Sequence, residues 1–203
     1  MMDLLKGVSA ETLGGLAWHN APERWELLPD GSLRVFVPPE VDYFRNPNGQ
    51  QVVDSAPFLW LSVEGDFVAR VRVCPAFTST YDAGALMVRH DEAHWAKLCY
   101  EATDFGTHAA VSVVTNGLSD DANGVDLDVD AVWLQVVRQD NVFALHYAID
   151  GQNWRMVRYF TLPVPRKVKV GLVAQSPVGP GTTIDFGGFE VESRRVANLR
   201  AGV

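Results

Sequence analysis

The feature that most constrains the fold is a period-two alternation of side chains in short segments bounded by turn residues. It is clearest in residues 95–101, where one face would carry Trp95, Lys97, Cys99 and Glu101 and the other Ala96, Leu98 and Tyr100. A period of two is that of a β-strand. Turn signals recur about every 8–12 residues, a spacing typical of a sandwich or barrel. The sequence therefore predicts an all-β protein.

The remaining segments follow the same pattern. Besides a hairpin within 82–101, strands are expected over residues 32–37, 58–63, 67–73, 111–115, 133–138, 142–149, 154–160, 167–174 and 182–192. Residues 40–55 and 116–130 are rich in turn-forming residues and are expected to be loops. The last few residues are expected to form a loose tail. One domain spanning residues 1–203 is predicted, because β-sandwiches of this length are commonly single units.

Charge and composition exclude several classes of partner. The 203 residues carry a net charge of −8, and the sequence pI is near 5.0. Nucleic acid and anionic membranes both require a basic surface, so neither is an expected partner. No apolar run approaches the roughly 20 residues of a membrane span, and residues 1–9 show no secretory signal pattern. Cys74 and Cys99 are expected to be free thiols, which favours a cytoplasmic location.

The hairpin within 82–101 supplies the candidate ligand site. If its turn lies near residues 91–93, Met87 and Arg89 share a face with Trp95, Lys97 and Glu101. A tryptophan ring beside charged hydrogen-bonding groups suits a sugar, which has apolar C–H faces and hydroxyl groups. The alternative is a solvated face with cross-strand ion pairs of little energetic value.

Asp82 lies at the entrance to the first strand of this hairpin. It could contact a ligand at the rim of the site. Alternatively, it is a turn residue that precedes Gly84, a role for which aspartate is well suited.

Several motifs occur in an order that resembles a known family. They are residues 60–67 (WLSVEGDF), 82–89 (DAGALMVR), 95–97 (WAK), Glu101, 112–117 (SVVTNG), 132–134 (VWL) and 147–154 (YAIDGQNW). Together they are similar to the concanavalin-like β-sandwiches whose named eukaryotic member is a regulation-of-enolase protein, over about residues 15–192. The resemblance implies a jelly roll of two antiparallel sheets, related in shape to legume lectins and glucanases. It implies no catalytic set and no cofactor.

Two further motifs contain residue types found in metal or catalytic sites. His90 and His94 have the spacing of a zinc-binding helix, but strands flank them, so a solvated hairpin tip is expected instead. Asp126, Asp128 and Asp130 could place carboxylates on one face, as a retaining glycosidase or a Ca²⁺ site requires. Their Asp-, Asn- and Gly-rich surroundings favour an acidic loop. No metal site is predicted.

The leading hypothesis is a non-enzymatic module that binds carbohydrate or a similar polyhydroxylated ligand on a concave sheet face. A glycoside-active enzyme using Glu101 or the three aspartates is one alternative. A regulatory module that binds a protein partner, linked to glycolysis through the family resemblance, is another. Fold likeness to lectins is a weak argument for function, so the three remain open at this point.

Overall fold

The computed structural model describes residues 3–9 and 11–203. Residues 1, 2 and 10 lie outside the described part, so the expectation of no secretory signal over residues 1–9 falls partly outside it. A short 3₁₀ helix, Leu4–Gly7, precedes the strands. The strands are β1 (Ala17–His19), β2 (Arg24–Leu27), β3 (Leu33–Val37), β4 (Tyr43–Arg45), β5 (Val52–Asp54), β6 (Phe58–Glu64), β7 (Phe67–Ala76), β8 (Ala83–Arg89), β9 (His94–Ala102), β10 (His108–Asn116), β11 (Leu118–Asp126), β12 (Val132–Gln139), β13 (Val142–Ala148), β14 (Arg155–Thr161), β15 (Lys167–Gln175) and β16 (Thr182–Glu192).

Two seven-stranded sheets form the molecule. The first has the order β1-β6-β15-β8-β9-β10-β11, and the second β14-β13-β12-β7-β16-β3-β2. Their strand pairs are antiparallel, so the predicted sandwich of two antiparallel sheets is confirmed. In the β8–β9 hairpin, Met87 pairs with Lys97 and Arg89 with Trp95. The predicted turn and the shared face of these residues are therefore confirmed as well.

Close packing at Gly84 identifies the inner face of the first sheet. A Cβ atom on Gly84 would lie 2.3 Å from a methyl carbon of Val73 and 2.6 Å from one of Ile184, both on the second sheet. Because side chains alternate along a strand, Leu86 also points into the sandwich, whereas Met87 points outward. Burying each large apolar side chain in this core contributes roughly 1.5–3 kcal/mol.

Residues 40–55, expected to be a loop, instead contain a two-stranded ribbon. β4 and β5 pair with each other, and their segment contacts Arg89, Trp95 and Lys97 on the outer face of the first sheet. Tyr43 is fully buried there, with its ring edge-on to Trp95 at 6.3 Å between centroids. The Arg45 amide donates to the hydroxyl of Ser119 at 2.9 Å. The Asn- and Gly-rich residues 46–50 form the turn of this ribbon rather than one part of a long loop.

The expectation of a loop over residues 116–130 is also wrong in part. Residues 118–126 form β11, which pairs with β10 at the edge of the first sheet. Most of its side chains are exposed, so the strand lacks the apolar alternation that marks half-buried strands. Asp126 ends β11, while Asp128 and Asp130 follow it outside any strand.

The C-terminal residues pack on the outer face of the second sheet and do not form the expected loose tail. Val196 is buried against Val68 and Val137. The carbonyl oxygen of Leu199 accepts a hydrogen bond from His146, and that of Gly202 accepts one from Gln135. Small apolar contacts and backbone acceptors fix the segment here, features that composition alone does not reveal.

Candidate functional site

A cavity of about 240 Å³ opens between the β4–β5 ribbon and the outer face of the first sheet. We call it the outer cavity. Its lining consists of Asp42, Phe44, Tyr81, Lys97, Glu101, Val113, Asp121 and Gln175. Three carboxyl groups, one ammonium group, one amide and two aromatic rings thus meet in one small space. Aromatic side chains beside precisely placed polar groups are also found in small-molecule sites, although this lining is richer in polar groups than most.

Strand register explains why these side chains meet. Lys97, Val113 and Asp121 lie opposite one another on β9, β10 and β11, so they form one row on the outer face. Gln175 and Glu101 lie in another row, on the two strands that flank β8. Side chains directly opposite on neighbouring strands are about 4.5–5.5 Å apart at Cβ. The two rows form the sheet side of the outer cavity.

Lys97 is a buried cation with polar partners. Its ammonium group donates to Oδ1 of Asp42 at 2.9 Å and to Oε1 of Gln175 at 2.7 Å, and its side chain is 2% exposed. Burial by itself lowers the pKa of Lys97, but the Asp42 carboxylate and other nearby negative groups raise it above the usual value. Lys97 is therefore charged at neutral pH, and its charge is offset by Asp42.

Glu101 is buried but lacks such a partner. The residue is 7% exposed, lines the outer cavity, and accepts no hydrogen bond from the described residues. Burial raises the pKa of Glu101 to about 8, Lys97 opposes this rise, and the negative charges of Asp42 and Asp121 add to it. Desolvation likewise raises the pKa of Asp121. Glu101 thus holds a proton at neutral pH and can act as hydrogen-bond donor or acceptor.

Arg89 and Trp95 lie on the predicted face, but residues of the ribbon contact both of them and cover the Trp95 ring. The Arg89 guanidinium makes two hydrogen bonds to the Asp54 carboxylate, at 2.8 and 2.6 Å, and so holds β5 in place. Trp95 is 1% exposed, covered by Tyr43, and its indole N–H donates to the carbonyl of Glu92. The expectation that the Trp95 ring is free to stack on a sugar is corrected: the ribbon covers it.

Asp82 and Met87 are fully buried and do not line the outer cavity. Oδ2 of Asp82 accepts hydrogen bonds from the amide and hydroxyl of Thr78 and from the amide of Ser79. Asp82 therefore stabilises the turn before β8, as the turn reading expected. Met87 packs in the apolar cluster beneath the ribbon. Of the six predicted residues, Lys97 and Glu101 are the two that line the cavity.

The sequence reading missed the rest of the lining. Asp42 and Phe44 belong to the segment expected to be a loop, and Asp121 belongs to the unrecognised strand β11. Gln175 could have been found by extending the alternation of the strand expected over residues 167–174 by one residue. Tyr81 precedes β8 with a φ of 68°, a left-handed conformation unusual for an aromatic residue.

The other candidate motifs do not form a metal site. At the tip of the β8–β9 hairpin, Nδ1 of His94 lies 2.9 Å from Asp91, and Nε2 of His90 lies 3.6 Å from it. Across residues 3–9 and 11–203, no group of three or more His, Cys, Asp or Glu side chains is placed to hold a metal ion. Within the same ranges, no helix has the length and apolar character to cross a membrane.

The paired antiparallel sheets define a concanavalin-like β-sandwich, and comparisons with known proteins agree. The carbohydrate-binding module CBM66 from Bacillus subtilis superposes with a TM-score of 0.57 at 17% identity, covering 88% of this chain and 96% of the module. At that level of identity the likeness concerns the fold alone.

A family model described as "Protein of unknown function (DUF1349)" matches residues 18–194, and the chain belongs to this family. The chain is 30% identical over 170 residues to Regulation of enolase protein 1 from Saccharomyces cerevisiae, a match that covers 83% of this chain and 85% of the yeast protein. A solved structure of a functionally unknown protein from Saccharomyces cerevisiae has a TM-score of 0.83 and 28% identity, covering 90% of this chain and 98% of that one. The resemblance inferred from the sequence motifs is thereby confirmed.

Proposed function

We propose that this protein is a non-enzymatic module that binds a carbohydrate or similar polyhydroxylated ligand in the outer cavity. The observation that carries the proposal is Glu101, a buried residue that lines the cavity and whose carboxyl group has no hydrogen-bond partner in the described structure. A buried polar group without a partner costs free energy. A ligand hydroxyl that hydrogen-bonds Glu101 would remove this cost.

The other lining groups support the same ligand class. The charged Lys97, the Gln175 amide and the Asp42 carboxylate offer donors and acceptors at fixed positions, because they also bond one another. The rings of Phe44 and Tyr81 give the cavity an apolar side, suited to the C–H face of a sugar. A volume of about 240 Å³ is below the roughly 300–1,000 Å³ of drug-sized pockets, so a single sugar ring is the expected occupant.

The test is a glycan array followed by titration calorimetry with Glu101→Leu beside the native chain. Leucine has a similar size but removes both hydrogen-bonding oxygens, so binding should weaken at least about tenfold. Glu23→Leu, at an exposed residue that does not line the outer cavity, is the matched control and should bind normally. Absence of glycan binding by the native chain, or equal binding by Glu101→Leu, would overturn the proposal.

A glycoside-active enzyme is the second candidate, favoured by one observation. The outer cavity holds the Glu101 carboxyl, with its pKa raised to about 8, together with the carboxyls of Asp42 and Asp121. A protonated and an ionised carboxyl in one site are the groups a glycosidase uses. Release of chromophore from a broad panel of nitrophenyl glycosides, abolished in Glu101→Gln, would support this candidate. No turnover across the panel would exclude it for those substrates.

A regulatory role through a protein partner is supported by the name of the yeast relative, Regulation of enolase protein 1. Calorimetry of this chain with purified enolase tests it directly, and Phe105→Ser removes a side chain that is 78% exposed on the turn after β9.

For location we propose the cytoplasm, supported by the two free thiols, Cys74 and Cys99.

A further inference from the structure

We infer that the preferred ligand of the outer cavity carries a protonated amine, so that amino sugars bind better than neutral or acidic sugars. This inference rests on the proposed binding function and narrows its ligand class. Two observations lead to it: acidic residues outnumber basic ones in the cavity lining, and the buried Glu101 has no hydrogen-bond partner there. Both observations concern residues that the strand register and the ribbon hold in place.

Acidic groups outnumber basic groups in the lining. Asp42, Glu101 and Asp121 are carboxylic acids, and Lys97 is the one basic side chain among the residues that line the cavity. The charge of Lys97 is already offset by Asp42 at 2.9 Å. Glu101 and Asp121 remain without a cation of their own in the lining. A ligand carboxylate or phosphate would find no unpaired cation in the lining, and the aspartates would repel it.

Glu101 supplies the second, independent observation. The residue is 7% exposed and lines the cavity, and its carboxyl group has no hydrogen-bond donor among the described residues. A buried carboxylate needs a charged, hydrogen-bonding partner to remain ionised. A ligand ammonium group has a positive charge and up to three N–H donors, so it provides what Glu101 lacks. A hydroxyl group provides one donor and no charge.

Ionisable groups on five segments influence Glu101. Lys97 lies on the same strand, Asp42 precedes β4, Asp121 lies on β11, Asp104 lies in the turn after β9, and Tyr81 lies in the turn before β8. Lys97 lowers the pKa of Glu101, whereas burial and the three aspartates raise it, and the outcome is a value of about 8. Glu101 is therefore neutral near pH 6.5.

A protonated amine in the cavity would reverse this state. A nearby positive charge favours the carboxylate over the carboxylic acid, so binding of an amine at pH 6.5 should release the Glu101 proton to the buffer. A neutral sugar leaves that proton in place. Amino sugars and neutral sugars should therefore differ in the number of protons released on binding, whatever their affinities.

The experiment is titration calorimetry at pH 6.5 with three matched pairs: glucose and glucosamine, galactose and galactosamine, mannose and mannosamine. Each pair differs only in a hydroxyl replaced by an ammonium group. Glucuronic acid is the acidic probe. Titrations in two buffers of different ionisation enthalpy measure the protons released. At least one amino sugar should bind at least about tenfold more tightly than its neutral partner, because hydrogen bonds between charged groups are stronger than those between neutral groups.

Glu101→Gln separates charge from hydrogen bonding. Glutamine keeps a donor and an acceptor but cannot ionise, so the variant should retain the neutral sugar, lose the preference for the amine, and release no proton. Glu23→Gln, outside the cavity, should behave like the native chain. Equal affinity for amine and hydroxyl, tighter binding of glucuronic acid, or no proton release would overturn this inference and leave the binding function standing. If no sugar of any class binds, the proposed function fails first.

Discussion

The outer faces of the two sheets are each covered by another segment of the chain, but the buried polar side chains beneath these segments differ in how completely they are hydrogen-bonded. The β4–β5 ribbon covers part of the first sheet, and the C-terminal residues 196–203 cover part of the second. Each covering segment encloses polar side chains that project outward from central strands. On the first sheet these include Lys97 and Glu101, and on the second Gln135 and His146.

Beneath the C-terminal segment the polar groups are paired with one another. Oε1 of Gln135 accepts from Arg70 at 2.6 Å, and its amide nitrogen donates to the carbonyl of Gly202 at 3.1 Å. His146 lies 2.9 Å from the carbonyl of Leu199 through Nε2, which must therefore carry the proton. Burial lowers the pKa of His146 and keeps the ring neutral.

Beneath the ribbon the pairing is incomplete. Lys97 has Asp42 and Gln175, but Glu101 has no protein donor in the described structure and borders a cavity instead. The comparison shows that a buried polar group on a sheet face is not in itself evidence for a binding site. An unpaired group beside open space is better evidence, because the missing hydrogen bond is available to a ligand.

The largest expected effect comes from the buried ion pair of the first face. Asp42→Asn leaves the fully buried Lys97 ammonium without a counter-charge, so unfolding in urea should show a loss of about 3–5 kcal/mol. Glu26→Gln disrupts an exposed ion pair with Arg24 and should cost at most about 1 kcal/mol. Equal losses in the two variants would show that Lys97 is not held by charge pairing.

The next effect is a gain in stability from Glu101→Gln. The pKa of Glu101 rises from an ordinary 4.5 to about 8 on folding, so the folded chain keeps a proton that the unfolded chain loses. The contribution of Glu101 to native stability therefore falls as pH rises from 4.5 to 8. Glutamine has no such dependence, and the variant should be more stable by up to about 4 kcal/mol at pH 8. Urea unfolding at pH 4.5 and 8 measures this; the same difference at both would contradict it.

A smaller effect of opposite sign is expected on the second face. Gln135→Ala removes the hydrogen bonds to Arg70 and Gly202 and leaves the buried Gly202 carbonyl and the partly buried Arg70 guanidinium without this partner. The expected loss is about 1–3 kcal/mol, with little change between pH 7 and 8 because no acid with a raised pKa is involved. A stabilising effect here would remove the distinction between a paired and an unpaired face. Urea unfolding at the two pH values is the measurement.

The smallest effect concerns acidification. The pKa of His146 is lowered from the ordinary 6.5, so below pH 6.5 the unfolded chain binds a proton before the folded chain does. The contribution of His146 to native stability should therefore fall as pH decreases from 6.5 to 5, against the opposite trend from Glu101. His146→Gln keeps a donor for the Leu199 carbonyl and should reduce this fall, measured by thermal unfolding across that range. An unchanged pH profile would mean that His146 is not the group responsible.

Much of the fold was predictable because most strands have one apolar and one polar face. The alternation at 95–101 identified the outward-facing residues of β9, and the hairpin turn gave the register with β8, as the pairing of Met87 with Lys97 confirms. Strand β11 escaped because an exposed edge strand needs no apolar face. Local sequence carries little information about such a strand.

A smaller part of the site was predictable, for a different reason. Lys97 and Glu101 follow from alternation, but Asp42, the counter-charge of Lys97, lies 55 residues earlier in the chain. β4 and β5 have three residues each, too few to show a period. Whether Trp95 is exposed or buried depends on this distant ribbon rather than on its own strand. Its burial could therefore not be deduced from residues 82–101.

The ribbon has a consequence for how ligand choice could be altered. Asn48 and Gly49, at the tip of its turn, are exposed to solvent, whereas Tyr43 and the Arg89–Asp54 pair anchor its base. Insertions at an exposed tip are well tolerated. Grafting longer or shorter tips between these anchors would vary the exposed part of the ribbon, while Asp42 and Phe44 stay in the cavity lining and the hydrophobic interior is undisturbed. The fold thus provides a separable module on which new specificities could be selected while the scaffold stays constant.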